Sequence, residues 1–450
     1  MSYNLEDFLG KEIPCSCGKI HKTPLKKIDI GAGALKRLPS VIRELGYRKV
    51  FLVADKNTYR AAAAAIEELF LAEKTDFQKI VLDEEEPVPD ETNLGRIFAA
   101  CPQDTDVFLA VGTGTINDMC KFISSRLKID YIIFTTAPSM DGFVSVGAAL
   151  MLDHVKVTCD AHSPVAVIGD TEILAQAPMN LILAGLGDVL GKYTCIMDWK
   201  MARLINGEYY CESVVDMVRT SVQTVVNQGK DIRTRSPQAV KSLMEALVLT
   251  GIAMYFVGNS RPASGCEHHM SHFWEMRFLM EGRKPVLHGT KVGIGMVTAV
   301  KMYHMLAEEP VDFEKSLSKE RNYDDWEEKM RRCYLSAADG IISVEKKCRK
   351  NDIAARNRRL KVIKEKWEEI RETIEEDLPE TEEVKMLLES LGAPSHPAEV
   401  GLSMELVKEG IQVAKEVRDR YTLLQILWDL GLEEEYSCRM ADWFEKCREV

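Results

Sequence analysis

Three groups of residues are arranged for chemistry. The first is Val111 to Lys121, VGTGTINDMCK, which directly succeeds an apolar run and opens a helical pattern. Glycines there let backbone N–H groups approach an anion closely, and a helix N-terminus adds partial positive charge. A phosphate-bearing ligand suits such a loop. The spacing is neither the GxGxxG fingerprint nor a P-loop ending in GK[ST], so a structural tight turn explains the glycines equally well. The second group, Thr135 to Ser145 (TTAPSMDGFVS), leaves a neighbouring apolar run with hydroxyls, a proline and an acid. Loops beyond the carboxyl ends of strands are where open α/β sheets bind ligands. Asp55 closes another such run, KVFLVAD, where it suits either a ribose diol or the N-cap of a helix.

The third group lies later in the chain: Asp188 and Lys192 in GLGDVLGK, His268 and His272 in GCEHHMSH, and His288 in LHGTK. His268 and His272 are four apart, which puts them on one face of a helix. A carboxylate and two imidazoles suit a divalent transition metal with positions left open for substrate. Four of the nine histidines fall between residues 268 and 288, so the set carries more weight than any one of them. A smaller cluster, Cys15, Cys17 and His21 in PCSCGKIHKT, has metal-binding groups and needs a fourth ligand from elsewhere.

The scaffold around these groups is read from periodicity. Up to about residue 175, short β-branched runs such as KVFLVA, QKIVL, DVFLAVG and YIIFTTAP alternate with helical stretches. That pattern predicts an α/β domain with a parallel sheet buried on both faces. From 176 to 450 the apolar residues recur with helical period, predicting an all-α domain. Between 308 and 383 charges of both signs are dense, as expected of solvated amphipathic helices.

The chain has 450 residues, and 58 basic against 70 acidic side chains give a formal charge of −12. An acidic surface does not suit sequence-independent nucleic-acid binding. No stretch near 18 uninterrupted apolar residues occurs, and the first residues lack a basic then apolar leader, so a soluble cytoplasmic protein without membrane insertion is expected. Twelve scattered cysteines are read as reduced thiols.

Taken together, GTGTINDMCK, TTAPSMDGFVSVGAA, GLGDVLGK, RPASGCEHHMSH and LHGTKVGIGM resemble the sn-glycerol-1-phosphate dehydrogenases, and most closely their bacterial AraM-type members. These form a branch of the iron-alcohol-dehydrogenase, glycerol-dehydrogenase and dehydroquinate-synthase superfamily. The resemblance implies a dehydroquinate-synthase-like fold: an α/β nucleotide-binding domain, a helical metal- and substrate-binding domain, and a cleft between them. It implies that Gly114, Thr115, Ile116, Asn117 and Asp118 hold the pyrophosphate of NAD or NADP. Thr136, Ala137, Pro138, Ser139 and Ser145 would flank the nicotinamide, and Asp55 the adenosine ribose. Asp188, His268 and His288 would bind one divalent ion, zinc or nickel, with His268 rather than His269 as the ligand. Asp141 and His272 would contact substrate, with Asp188 and the metal beside them.

Basic groups around such a site fall at Lys121, Lys156, Lys192 and Arg261. Lys192 joins Asp141 and His272 as a catalytic candidate. Arg261 is the first candidate for a substrate phosphate, because a guanidinium binds phosphate bidentately; a structural salt bridge is its plain alternative. The reaction so implied is the reversible, NAD(P)H-dependent reduction of dihydroxyacetone phosphate to sn-glycerol 1-phosphate, a phospholipid precursor, by a homo-oligomer, dimer first. Another polyol dehydrogenase such as glycerol dehydrogenase, a dehydroquinate-synthase-like cyclase, and a silent NAD- or metal-binding module remain as alternatives.

Overall fold

A computed structural model describes residues 3–152 and 155–447, with the side chains of residues 155 and 156 outside that description. Lys156 is therefore placed only by its backbone. The chain forms two compact units: Met1–Val189 with Ser213–Ser260, and Leu190–Glu212 with Arg261–Val450. This differs from a single division at 175/176. The helix Pro237–Val257 packs on Thr171–Gln176 and on the sheet edge of the first unit, so its segment returns to that unit although it shares the helical period of the second. It is also long and apolar enough to cross a membrane by length and composition, with 78% of its most apolar stretch buried.

The first unit contains ten strands among the described residues. A short hairpin pairs β1 (Ile13–Pro14) with β2 (Ile20–His21). β3 (Lys27–Gly31), β4 (Lys49–Asp55), β5 (Asp76–Leu82), β6 (Val107–Gly112), β7 (Asp130–Thr135) and β10 (Ala166–Asp170) form one sheet in the order β3-β10-β7-β6-β4-β5. Every pairing in it is parallel. β8 (Gly147–Leu152) and β9 (Val155–Asp160) form a separate antiparallel hairpin against the helix Gly114–Leu127.

Continuous apolar sequence makes the central strands: all six residues of β6 and five of six in β7 are buried, as a parallel sheet covered on both faces requires. The chain runs from β4 outward to β5, then crosses back to β6 on the other side of β4. The carboxyl ends of β4 and β6 are therefore the point where strand order reverses, the place at which open α/β sheets bind ligands. Asp55 ends β4 and Gly112 ends β6.

The second unit is helical among its described residues. Its core gathers Met270, Phe273 and Trp274 of the helix Cys266–Met280 with Tyr303 of His288–Glu308 and Leu423, Ile426 and Leu427 near the C-terminus. Gly295 allows the two histidine-bearing helices to touch: a Cβ there would lie 2.7 Å from the carbonyl oxygen of Glu267. The region 308–383 forms short helices such as Tyr323–Tyr334, Ile353–Glu365 and Trp367–Asp377, with most charges outward, although Ile353–Glu365 also buries Arg356 and Arg359, the latter paired with buried Asp429.

Candidate active site

At the strand-order reversal, the helix Gly114–Leu127 begins beyond Thr113, whose side chain makes no capping hydrogen bond. First-turn N–H groups lacking a side-chain cap favour an anion. A Cβ on Gly112 would lie 2.8 Å from that of Ile116, and one on Gly114 would lie 3.2 Å from Cε of Met140. Glycine is thus built into the close approach of strand, helix and neighbouring loop. Asp55 is buried at the end of β4, and its Oδ1 accepts from Thr58 N at 2.8 Å while Thr58 Oγ1 accepts from Asp55 N at 3.0 Å. It is the N-cap anticipated as its plainer role, and burial raises its carboxyl above the usual aspartate range.

The loop after β7 is held from below. Lys121, fully buried, donates to the carbonyls of Gly142 (2.7 Å) and Gly147 (3.1 Å) and to Ser145 Oγ (3.1 Å), and pairs with Asp118 at 3.3 Å. Burial pushes its amine below the usual lysine range, against the pull of Asp118. Asp118 in turn accepts from Ala149 N at 3.1 Å, and Thr136 N donates to Gly112 O at 3.1 Å. Ala137, Pro138 and Ser139 lie buried in the same loop. Lys121 thus acts by pinning the serine-bearing loop.

The helix Met179–Leu190 presses onto this loop. A Cβ on Gly185 would sit 1.8 Å from Pro138 O, a clash of backbone that only glycine avoids. One turn along, fully buried Asp188 accepts from Asp141 N at 2.9 Å. Asp141 and Asp188 are thereby fixed together.

In the second unit, the helix Cys266–Met280 and the first residue of His288–Glu308 bring three imidazoles together. Ring centres are 5.1 Å apart for His268 and His288, 5.5 Å for His272 and His288, and 6.2 Å for His268 and His272. His268 Nδ1 lies 2.7 Å from Glu267 Oε1. A carboxylate only accepts, so Nδ1 carries the proton and Nε2 keeps its lone pair for a cation. Glu267 is fully buried, and it also accepts from Thr194 Oγ1 and Gly265 N, each at 2.7 Å. Burial alone would raise its carboxyl, but these donors hold it below the usual glutamate range.

Asp198 secures the start of the same helix, accepting from Cys266 N at 2.5 Å and, through its other oxygen, from Tyr303 Oη (2.5 Å) and Leu423 N (2.6 Å). His269 faces the interior, and neither of its ring nitrogens has a hydrogen-bond partner among the described residues. Burial, reinforced by nearby Arg420 and Arg418, drives its imidazole well below the usual range, so it stays neutral. His272 is half-buried, with Glu275 Oε2 at 4.0 Å from its Nδ1.

Two basic groups are engaged inside the unit. Lys192 is fully buried and donates to Ala263 O at 3.1 Å. Arg261 grips the Glu208 carboxylate with two nitrogens and donates from Nη1 to Tyr421 O at 2.9 Å. This is the arrangement of a structural ion pair. Glu208 is 53 residues upstream, which no local pattern reveals. Glu267 also escapes the sequence reading, although a carboxylate directly before a histidine pair is a readable signal for a group that orients a ligand.

A parallel sheet whose order reverses at an uncapped, glycine-opened helix, and an imidazole cluster on helices, are the parts that a nucleotide-dependent metal dehydrogenase requires. The model for iron-containing alcohol dehydrogenase matches residues 29–178. The fold is that of solved relatives such as a probable glycerol dehydrogenase from Sinorhizobium meliloti, with a TM-score of 0.62 at 15% identity over 94% of this chain and 98% of that one. Within that class the chain belongs to the glycerol-1-phosphate dehydrogenase family. It is 33% identical to the glycerol-1-phosphate dehydrogenase (NAD(P)+) of Halalkalibacterium halodurans over 92% of this chain and 95% of the relative. The same-named enzyme of Geobacillus stearothermophilus is 32% identical over 96% and 99%.

Proposed function

We propose that this protein reduces dihydroxyacetone phosphate to sn-glycerol 1-phosphate with NADH or NADPH, and runs the reverse oxidation. The observation that carries the reading is the Glu267–His268 pair: a buried carboxylate fixes the histidine tautomer and leaves Nε2 for a cation. The names of the full-length relatives supply the phosphorylated substrate.

The metal ligands are Asp188, His268 and His288. A carboxylate oxygen with two imidazole nitrogens fits a divalent ion, and zinc or nickel is the proposed occupant. When bound, the ion supplies Lewis-acid polarisation of the C2 carbonyl and the dinucleotide supplies hydride. The chain's own groups do the rest. Gly114 to Asp118 hold the pyrophosphate, with the open first-turn N–H groups of Gly114, Thr115 and Ile116 as its donors; Thr136 to Ser139 and Ser145 hold the nicotinamide side, and Asp55 takes the ribose with the oxygen that does not cap Thr58.

Asp141 and His272 bind the substrate hydroxyl groups, and His272 delivers the proton that the C2 oxygen takes up as hydride arrives at C2. Lys192 is proposed as a further catalytic group, held by Ala263. Arg261 is the proposed phosphate contact, and because it already grips Glu208, Arg261→Ala is to be read for stability as well as KM. A cytoplasmic homodimer serving phospholipid synthesis completes the proposal.

The test monitors NADH absorbance with purified protein and dihydroxyacetone phosphate, with unphosphorylated dihydroxyacetone in parallel, before and after chelation and metal add-back. Metal-dependent oxidation with the phosphorylated ketone alone is expected. Preference for dihydroxyacetone contradicts the substrate assignment, and full activity after complete metal removal contradicts the metal.

A further inference from the structure

The hairpin at the start of the first unit has no part in this reaction, yet it is built as a ligand cluster. β1 and β2 are two residues each, far below the length at which a hairpin holds itself. Between them the chain turns tightly: Cys15 N donates to Lys19 O and Gly18 N to Cys15 O, both at 3.0 Å, with Gly18 at φ +84°. The turn gathers Cys15, Cys17 and His21 so that their ligand atoms all lie within 4.8 Å of one another.

Cys17 Sγ is 3.5 Å from His21 Nε2. Bonds of about 2.3 Å from zinc to sulfur and about 2.0–2.1 Å to nitrogen, at a tetrahedral angle, put sulfur and nitrogen about 3.6 Å apart. The His21 ring is buried, stacked on Phe256 at 5.0 Å, and its Nδ1 is 3.3 Å from Phe256 O. A carbonyl only accepts, so Nδ1 is protonated and Nε2 turns its lone pair toward the sulfurs. This is the outer support seen behind metal-bound histidines. Ser213 Oγ lies 3.6 Å from Cys15 Sγ, placing a hydroxyl beside that thiolate.

We propose that Cys15, Cys17 and His21 bind a structural zinc ion that fastens the N-terminal hairpin. Two thiolates and a neutral imidazole balance the divalent charge, and a fourth ligand closes the tetrahedron. The bound ion does for this hairpin what its four paired residues cannot, holding the turn shut on the end of the helix Pro237–Val257.

Cobalt substitution of the whole enzyme separates this site from the catalytic one, whose proposed ligands contain no sulfur. The cobalt protein is expected to show thiolate-to-cobalt charge transfer in the near ultraviolet. The double variant Cys15→Ser, Cys17→Ser is expected to lose that band and one metal ion per chain, with turnover of dihydroxyacetone phosphate kept within about threefold. Should the variant fail to fold, titration of the wild-type zinc enzyme with a mercurial thiol reagent is expected to release one zinc per chain. A charge-transfer band that survives in a folded double variant overturns the proposal. So does a mercurial titration that releases no zinc, or a Cys15–Cys17 disulfide in the purified protein.

Discussion

In the first unit the groups offered to a ligand are mainly backbone: the opening turn of Gly114–Leu127 and a loop whose carbonyls Lys121 ties down. In the second they are imidazoles, and what steadies them is buried carboxylate, Glu267 behind His268 and Asp198 at the helix start. The contrast shows where each unit is vulnerable. A backbone cradle depends on glycines and on the lysine that holds its loop. A side-chain cluster depends on the protonation and direction of each ring, hence on buried charge.

The greatest loss should come from the side-chain cluster. His268→Ala is expected to lower kcat/KM for dihydroxyacetone phosphate by about 10³-fold or more, the several kcal/mol that Lewis-acid stabilisation supplies, together with loss of bound metal on elemental analysis. A variant that keeps full metal and turnover would remove the imidazoles from the chemistry.

Acid sensitivity should belong to the second unit's scaffold. Glu416 is buried among Lys415, Lys350, Trp326 Nε1 and Asn351 Nδ2, which outweigh burial and pull its carboxyl down to about 2. Because its folded value lies below its ordinary 4.5, its contribution is complete above that pH and fades as pH falls toward about 2. Burial pushes the Lys415 amine down, so part of the gain is offset. Glu416→Gln should cost about 3 kcal/mol at pH 7 in denaturant melts, shrinking toward zero at acid pH. A pH-independent difference would assign the loss to packing.

A smaller change isolates the role of Glu267. Its replacement by Gln should weaken metal affinity or turnover by about 10- to 100-fold, as loss of an orienting partner does. Metal binding measured by competition with a chelator checks this, and unchanged affinity would reduce Glu267 to a packing role. Least of all, Lys121→Met should raise KM for NADH by about tenfold, about 1.4 kcal/mol, through a loosened loop, while metal content stays at the wild-type level.

Much of this is legible in the sequence. The apolar runs mark the central strands, and the glycines after DVFLAVG mark a loop whose candidacy as a ligand site is strengthened by strand order, which only the sheet reveals. The histidine spacing places His268 and His272 on one helix face, as found. Periodicity identifies the helices of 213–257 but not the unit they cover, because helical period states that a face is buried and not against what. β3 and β10 are too short to stand out from the turns around them. The family resemblance puts Lys121 and Arg261 among the basic groups around the site, with a salt bridge as the alternative for Arg261; the partners they have in the fold, carbonyls of the next loop and a distant glutamate, are tertiary facts.

In the proposed reading the cofactor pyrophosphate is held by backbone of the first unit and the metal chiefly by the imidazoles of the second. Titrating NADH into His268→Ala, by quenching of protein fluorescence, separates the two in a single experiment. The expected Kd is within about threefold of wild type in a protein that has lost its metal and its turnover. Loss of NADH binding together with the metal, in a protein that remains folded, would show that the two sites are not separable in this way.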